Sequence, residues 1–209
     1  MRTTELLGET LRALVDDRVR VRPLRRSDAK AWVALRARNA DRLRHWEAVP
    51  PGGQLPARLG RAAFLSFLHA MRVEQRAGRA LSLAIEYDRR LVGQVTVTAI
   101  QRGAALIATI GYWVDEAVAG QGITPTAVAL VVDHCFLGLG LHRVEVDVQP
   151  TNAASRRVVE KLGFRCEGVR RGLLHVDGQW RDHELWAMTI EEAAGGVSAR
   201  YRRSRATGG

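Results

Sequence analysis

The sequence predicts an α/β fold, one mixed central β-sheet with helices on both faces. Three observations lead there. Runs that alternate or are rich in β-branched residues fall at 19–23, 81–87, 91–100, 107–115, 143–148, 164–175 and 179–189, lengths and compositions that suit strands. Helical stretches interrupt them, giving the order β-α-α-β-β-β-α-β-α-β-β. Hairpins within that order need antiparallel neighbours, whereas a strand–helix–strand passage allows a parallel pair, so the sheet is mixed and not doubly wound. Residues 107–137 read as a strand, a short glycine loop and a long apolar helix, and the rest of the chain is organised around that unit.

Residues 1–17 carry weak helical periodicity at Leu6, Leu7, Leu11 and Leu14 and form a leading segment. Residues 19–23 alternate Val with Arg, a strand with one buried face. Ser27 serves as N-cap for a helix to about Asn39, with Ala31, Trp32 and Leu35 on its apolar side. After Pro50-Pro51-Gly52-Gly53, a second helix spans about 56–77, with Phe64, Leu65, Leu68 and Met71 as its stripe. Two runs flanking Asp88-Arg89-Arg90 make a hairpin. Beyond the central helix, Asn152 caps a helix that Gly163 closes. Val176-Asp177-Gly178 then turns a second hairpin. Residues 193–209 are small, polar and basic, and disorder is expected there. The chain thus divides into a leading segment (1–17), one domain (18–192) and a basic tail (193–209).

The central loop is Ala119-Gly120-Gln121-Gly122-Ile123-Thr124, with Pro125 just inside the helix, where its missing N–H has no intrahelical partner. Glycines at 120 and 122 let backbone approach a ligand closely, and the first-turn N–H groups suit phosphate. A dinucleotide-binding loop would need a third glycine where Pro125 stands. A Walker loop would need a Gly-Lys-Ser/Thr ending. The coenzyme A pyrophosphate pattern, Arg/Gln-x-x-Gly-x-Gly/Ala, fits both glycines but finds Ala117 at its first position. A tight turn with no ligand is the remaining alternative.

A chain of 209 residues suits one domain with a full core. Cys135 and Cys166 lack neighbouring Cys or His at metal spacing, and read as thiols of a reducing compartment. No metal is expected. Acidic residues at 5, 9, 16 and 17 argue against a signal peptide, and Asp133 and His134 interrupt the best apolar run. A cytoplasmic protein with no membrane association is expected. The formal charge of +10 comes from arginine, since Lys30 and Lys161 are the only lysines. Arginines concentrate in 18–44 and 200–205, a field that attracts polyanions such as RNA or ribosomes, or a plain solvated surface.

The segments Pro150-Thr151-Asn152-Ala153-Ala154-Ser155-Arg156, Glu160-Lys161-Leu162-Gly163-Phe164 and Glu167-Gly168, taken with Ala119 to Ile123, resemble the GNAT acetyltransferases. Asp177-Gly178-Gln179-Trp180-Arg181-Asp182-His183, Gly111-Tyr112-Trp113-Val114 and the segment from Arg44 to Glu47 are similar to its RimJ/RimL-like branch, which acetylates ribosomal-protein N-termini. The resemblance covers roughly 18–191. It implies a GNAT-like sheet, acetyl-CoA as donor and an amine as acceptor. It further implies that Tyr112, Trp113, Val114 and Asp115 pair backbone with the pantetheine arm, one N–H polarising the thioester oxygen. Amides of Ala119, Gly120, Gln121, Gly122, Ile123 and Thr124 would take the pyrophosphate. Asn152 would hold the pantetheine, and Ser155 would hydrogen-bond the departing thiolate. Each has a plainer alternative: Asn152 as a cap only, Ser155 as first-turn polarity, Trp113 as core.

Two positions depart from the family. Ala117 removes the Arg/Gln of the phosphate pattern. Leu174 stands where relatives acting on ribosomal proteins carry a glutamate base, leaving Glu47, Asp182, His183 and Glu184 as candidates by type. An α-amine titrates near ~7.7–8 and a lysine near ~10.4, so lack of a strong base points to an α-amine acceptor. The leading expectation is acetyl transfer to a protein N-terminus, possible ribosome contact running through the basic regions. Transfer to a small amine (an aminoglycoside, polyamine or amino acid) and a turnover-free ribosome- or RNA-binding assembly factor are the alternatives.

Overall fold

The computed structural model describes residues 13–52 and 60–207. Its strands are β1 (Leu14–Asp16), β2 (Val19–Pro23), β3 (Leu81–Tyr87), β4 (Arg90–Gln101), β5 (Ile107–Val114), β6 (Arg143–Val148), β7 (Arg165–Val176) and β8 (Gln179–Thr189). The helices are α1 (Ala29–Arg38), α2 (Ala40–Arg44), α3 (Arg61–Arg76), α4 (Ile123–Asp133), α5 (Ala153–Leu162) and α6 (Val197–Thr207). One sheet holds all the strands in the order β1-β2-β3-β4-β5-β6-β8-β7. Its pairs are antiparallel except β5 with β6.

Period-two alternation sorts the sheet's residues between two layers. Leu83 and Ile85 pack with Val128, Val131 and Val132 of α4 and with Val159 of α5. Ala84, between them, packs on the other face with Trp32 of α1 and Phe64 and Leu68 of α3. α4 is apolar nearly all round because the sheet lies on one side of it and α6 on the other.

Three expectations are corrected. Leu14 sits in a strand hairpinned to β2 rather than in a helical leader; Leu6, Leu7 and Leu11 lie outside the described residues, as does position 56. Ser27 does not cap α1: it sits in a 3-10 turn, Arg26–Asp28, and α1 starts at Ala29. Asp28 is claimed instead by Arg22, whose guanidinium donates to both of its oxygens at 2.8 Å and to Glu86 at 2.7 Å, all three buried. The expected disorder after 193 is replaced by α6, with Val197 0% and Tyr201 6% exposed against the core. Asp133, at the end of α4, accepts from Val197 N at 2.7 Å and Ser198 N at 3.0 Å and so caps α6. Arg200 donates to the carbonyl of Leu162 at 2.7 Å, closing the end of α5.

The arginine-rich stretches are largely engaged within the fold. Arg18 pairs with Asp88, Arg36 with Glu47, Arg38 with Asp115 and Arg202 with Asp16. Part of the charge read from sequence as a field for polyanions is therefore neutralised locally. Among the described residues, no helix is long and apolar enough to cross a membrane.

Candidate active site

The parallel pair β5–β6 holds register only over Ile107↔Arg143, Ala108↔Val144 and Thr109↔Glu145. From Ile110 and Val146 onward the strands diverge, leaving a wedge in the sheet with strand backbone along both walls. Two chambers open from this wedge, one of about 450 Å³ toward the glycine loop and one of about 270 Å³ toward the β7–β8 hairpin. They meet at Leu43, Trp46, Tyr112, Trp113, Asn152 and Ser155, which line both.

The loop chamber ends on Ala119, Gly120, Gly122, Ile123 and Thr124. Gly120 has φ 80° and Gly122 φ 78°, a left-handed conformation that a side chain would strain. Thr126 returns both its N–H (3.2 Å) and its hydroxyl (2.8 Å) to the carbonyl of Gly122, pinning the loop to the first turn of α4. Among the described residues, no protein acceptor takes the N–H groups of Gly120, Gln121, Gly122, Ile123 or Thr124. Such a group of free amides at a helix start suits phosphate. Arg157 and Lys161, one turn apart on α5, stand on the same chamber. The sequence reading missed them, although a basic pair four apart on a capped helix was a readable signal. They supply positive charge that Ala117 does not.

At the junction, Tyr112 Oη lies 2.9 Å from Ser155 Oγ. Burial pushes the Tyr112 phenol above its ordinary range, against the hydrogen bond to Ser155, so it stays protonated at any working pH. From sequence Tyr112 offered only its backbone; the fold adds its hydroxyl. Asn152 Oδ1 accepts Ser155 N at 3.1 Å. Its cap role thus uses the carbonyl and leaves the amide NH₂ to the junction, so cap and ligand roles coexist.

Two expected residues are not brought into the cleft. Asp115 is 3% exposed, its N–H donates to Val92 O at 2.7 Å, and its carboxylate takes Arg38 and Asn39 (2.8 Å). Burial works to raise its pKa, but these donors prevail and hold it below the usual carboxylate range. Gln121 is exposed and off both chambers, though its N–H belongs to the free group. Val114 lines the loop chamber, while Trp113 packs beside the Arg36 guanidinium, 5.4 Å from its ring.

The smaller chamber carries charge: Arg36, Glu47, Asp147 and His183 line it, with Leu174. Its cover is the segment after α2, tied to the hairpin by Val49 N donating to His175 O at 2.9 Å and to the end of β6 by Gln149 donating to His45 O at 3.1 Å. Burial pushes the Asp147 carboxyl above its ordinary value, countered by Arg170 at 3.1 Å. Of the base candidates named by type, Asp182 is spent on Gly172 N (2.8 Å) and Glu184 on Trp186 (3.0 Å) and Arg156. Glu47 is paired to Arg36, and His183 remains.

A sheet opened at one parallel pair, with free amides at one end of the gap and paired hydroxyls at its middle, defines an acyl-CoA-dependent N-acyltransferase site. The acetyltransferase (GNAT) domain model matches residues 18–165, and the chain belongs to that family and is an acetyltransferase. It is 36% identical over 168 residues to the probable N-acetyltransferase YjcK of Bacillus subtilis, covering 80% of this chain and 92% of that one. It is 28% identical over 186 residues to the [ribosomal protein uS5]-alanine N-acetyltransferase of Escherichia coli, covering 86% and 91%. Among solved structures, Mycobacterium smegmatis RimJ in complex with CoA-disulfide superposes with a TM-score of 0.86 at 40% identity, covering 90% of this chain and 89% of that one.

Proposed function

We propose that this enzyme transfers acetyl from acetyl-CoA to the N-terminal α-amine of a protein, with ribosomal proteins the favoured class, in the cytoplasm. The observation that carries the reading is the meeting of two unlike chambers at Ser155 and Tyr112. Acetyl-CoA supplies the activated acyl group. The amides of Gly120 to Thr124, with Arg157 and Lys161, would hold its phosphates. The open edge of β5 would pair with the pantetheine arm. Trp113, in register with Gln94, turns its N–H toward β4, so the N–H groups of Tyr112 and Val114 face the wedge and would steady charge growing on the thioester oxygen. The Ser155–Tyr112 hydroxyl pair would take the departing sulfur by hydrogen bond.

Acceptor size supports the α-amine. At about 270 Å³ the second chamber is smaller than the ~300–1,000 Å³ typical of pockets for drug-sized ligands, so a small end enters, not a trisaccharide. Beside it the β7–β8 hairpin exposes Leu174 on the chamber face, an apolar contact for the residue that follows a chain's first. The related uS5-alanine N-acetyltransferase agrees with a protein acceptor. Labelled acetyl-CoA with peptides differing only in their first residue tests the proposal. Transfer should occur to free N-termini and cease when these are blocked. Transfer to internal lysines of blocked peptides, or to small amines alone, would overturn it.

A further inference from the structure

We propose that His183 is the proton acceptor of the transfer, with Asp147 as the carboxylate that steadies the amine beside it. This deepens the acceptor reading above and rests on it. His183 lies in β8 at the acceptor chamber, 3% exposed. Its Nδ1 is 3.0 Å from the carbonyl oxygen of Arg181. A carbonyl only accepts, so Nδ1 carries the hydrogen and donates it, and the lone pair of the ring resides on Nε2. That fixed tautomer is the one a base in the chamber requires. Leu174 leaves the penultimate strand without a carboxylate, and the imidazole comes from the neighbouring strand instead.

The charges around His183 come from every element packed on it. Asp147 lies on β6, held by Arg170 of β7, which also donates to Glu145 at 2.8 Å and stands opposite His183 in the β7–β8 register. Glu47, paired with Arg36 of α1, lines the far wall. Glu184, the next residue of β8, is turned to Arg156 of α5 at 3.2 Å. Asp147 thus offers a half-buried anionic site for an ammonium or a developing N⁺, on the same chamber as a nitrogen that can take its proton.

The step balances. The amine nitrogen attacks the thioester carbon, a C–N bond forms, and one N–H proton passes to His183 Nε2. The C–S bond breaks with its electron pair on sulfur, held by the Ser155–Tyr112 hydroxyls. The proton on His183 leaves to water, and the thiolate is protonated on release. With no base on the enzyme, kcat/KM would follow the peptide's own titration alone; an imidazole base adds an inflection that belongs to the enzyme.

The experiment compares pH profiles of kcat/KM for two peptides whose α-amine pKa values differ, in wild type, His183→Gln and Asp147→Asn. Wild type should show one inflection common to both peptides beside each peptide's own. His183→Gln should lose the common inflection, with kcat reduced ~10²–10⁴-fold and acetyl-CoA affinity unchanged. Added imidazole should restore part of the rate to His183→Ala. Asp147→Asn should raise peptide KM while keeping the common inflection. Wild-type kcat and profile in His183→Gln would overturn the assignment, and so would a wild-type profile with no common inflection, which needs no variant to fold. Wild type that acetylates no N-terminal peptide refutes the acceptor reading instead; the same profile comparison on two small amines then decides the base.

Discussion

Tyr112 Oη and Ser155 Oγ, from a strand and a helix on opposite walls of the wedge, lie 2.9 Å apart. In the proposed reaction the pair acts as one donor toward the sulfur, so its members should not contribute additively. Ser155→Ala should keep acetyl-CoA affinity within a few fold and lower kcat, by on the order of 10²-fold. Tyr112→Phe should lower it less, and the double variant should be little worse than Ser155→Ala. Steady-state kinetics beside calorimetric titration of acetyl-CoA check this; wild-type kcat in Ser155→Ala would reduce the serine to a helix start.

The two loop glycines should respond differently. A Cβ at Gly120 meets nothing within 4 Å of protein, whereas one at Gly122 comes 3.3 Å from Tyr201 Oη. Gly120→Ala should therefore weaken acetyl-CoA binding at a conformational cost of ~1–2 kcal/mol. Gly122→Val should weaken binding and also loosen α6, seen as a lower Tm. Unchanged acetyl-CoA affinity in folded Gly120→Ala would remove the loop from the site.

Deleting residues 197–209 should destabilise the protein. Burying a side chain such as Val contributes roughly 1.5–3 kcal/mol, and Val197 and Tyr201 are both in the core, so a loss of about 3–6 kcal/mol is expected. Asp133→Ala, which removes only the cap, should lose ~1–2 kcal/mol. Urea unfolding of the three proteins gives the comparison. Equal midpoints would show that α6 adds nothing to the core.

Arg22 neutralises Asp28 and Glu86 in a buried cluster. Burial works to raise the Asp28 pKa, but hydrogen bonds from Arg22 and Arg25 outweigh it and hold it below its ordinary value. A depressed carboxylate adds stability above its unfolded pKa of ~3.9, and that stability disappears as pH falls through the folded value. Arg22→Met should cost about 3–5 kcal/mol near neutral pH, having stranded two buried carboxylates. The gap should narrow as pH falls toward and below ~4, where both can protonate. A gap independent of pH would mean the loss is one of packing.

Elements defined by local chemistry were legible in sequence. Asn152 and Gly163 bracket α5 as expected, and Val176-Asp177-Gly178 announces the last hairpin. What escaped depends on partners far along the chain. The stretch 193–209 looked disordered because its composition is polar; only Val197 and Tyr201, four apart, hinted at a buried face, and their value depends on Asp133 waiting 64 residues earlier. His183 was one candidate of four because strand alternation alone cannot say which face is which after a bulge. β7 slips register between Cys166 and Gly168 and again between Arg170 and Leu174, which is how Arg170 comes opposite His183 while Leu174 faces Arg181. Asp115 was misplaced for a similar reason, since its partners Arg38 and Asn39 sit 77 and 76 positions away.

The wedge between β5 and β6 also separates two kinds of inheritance. What recognises the donor in the proposed mode is mostly main chain: an unpaired strand edge and a set of amides whose positions depend on the fold and two glycines. What recognises the acceptor is side chains of the opposite rim, on strands and a hairpin that bear little of the donor's weight. Substitutions on that rim can retarget the enzyme while its acetyl supply stays intact, so a lineage built on this sheet can change customers without changing its currency.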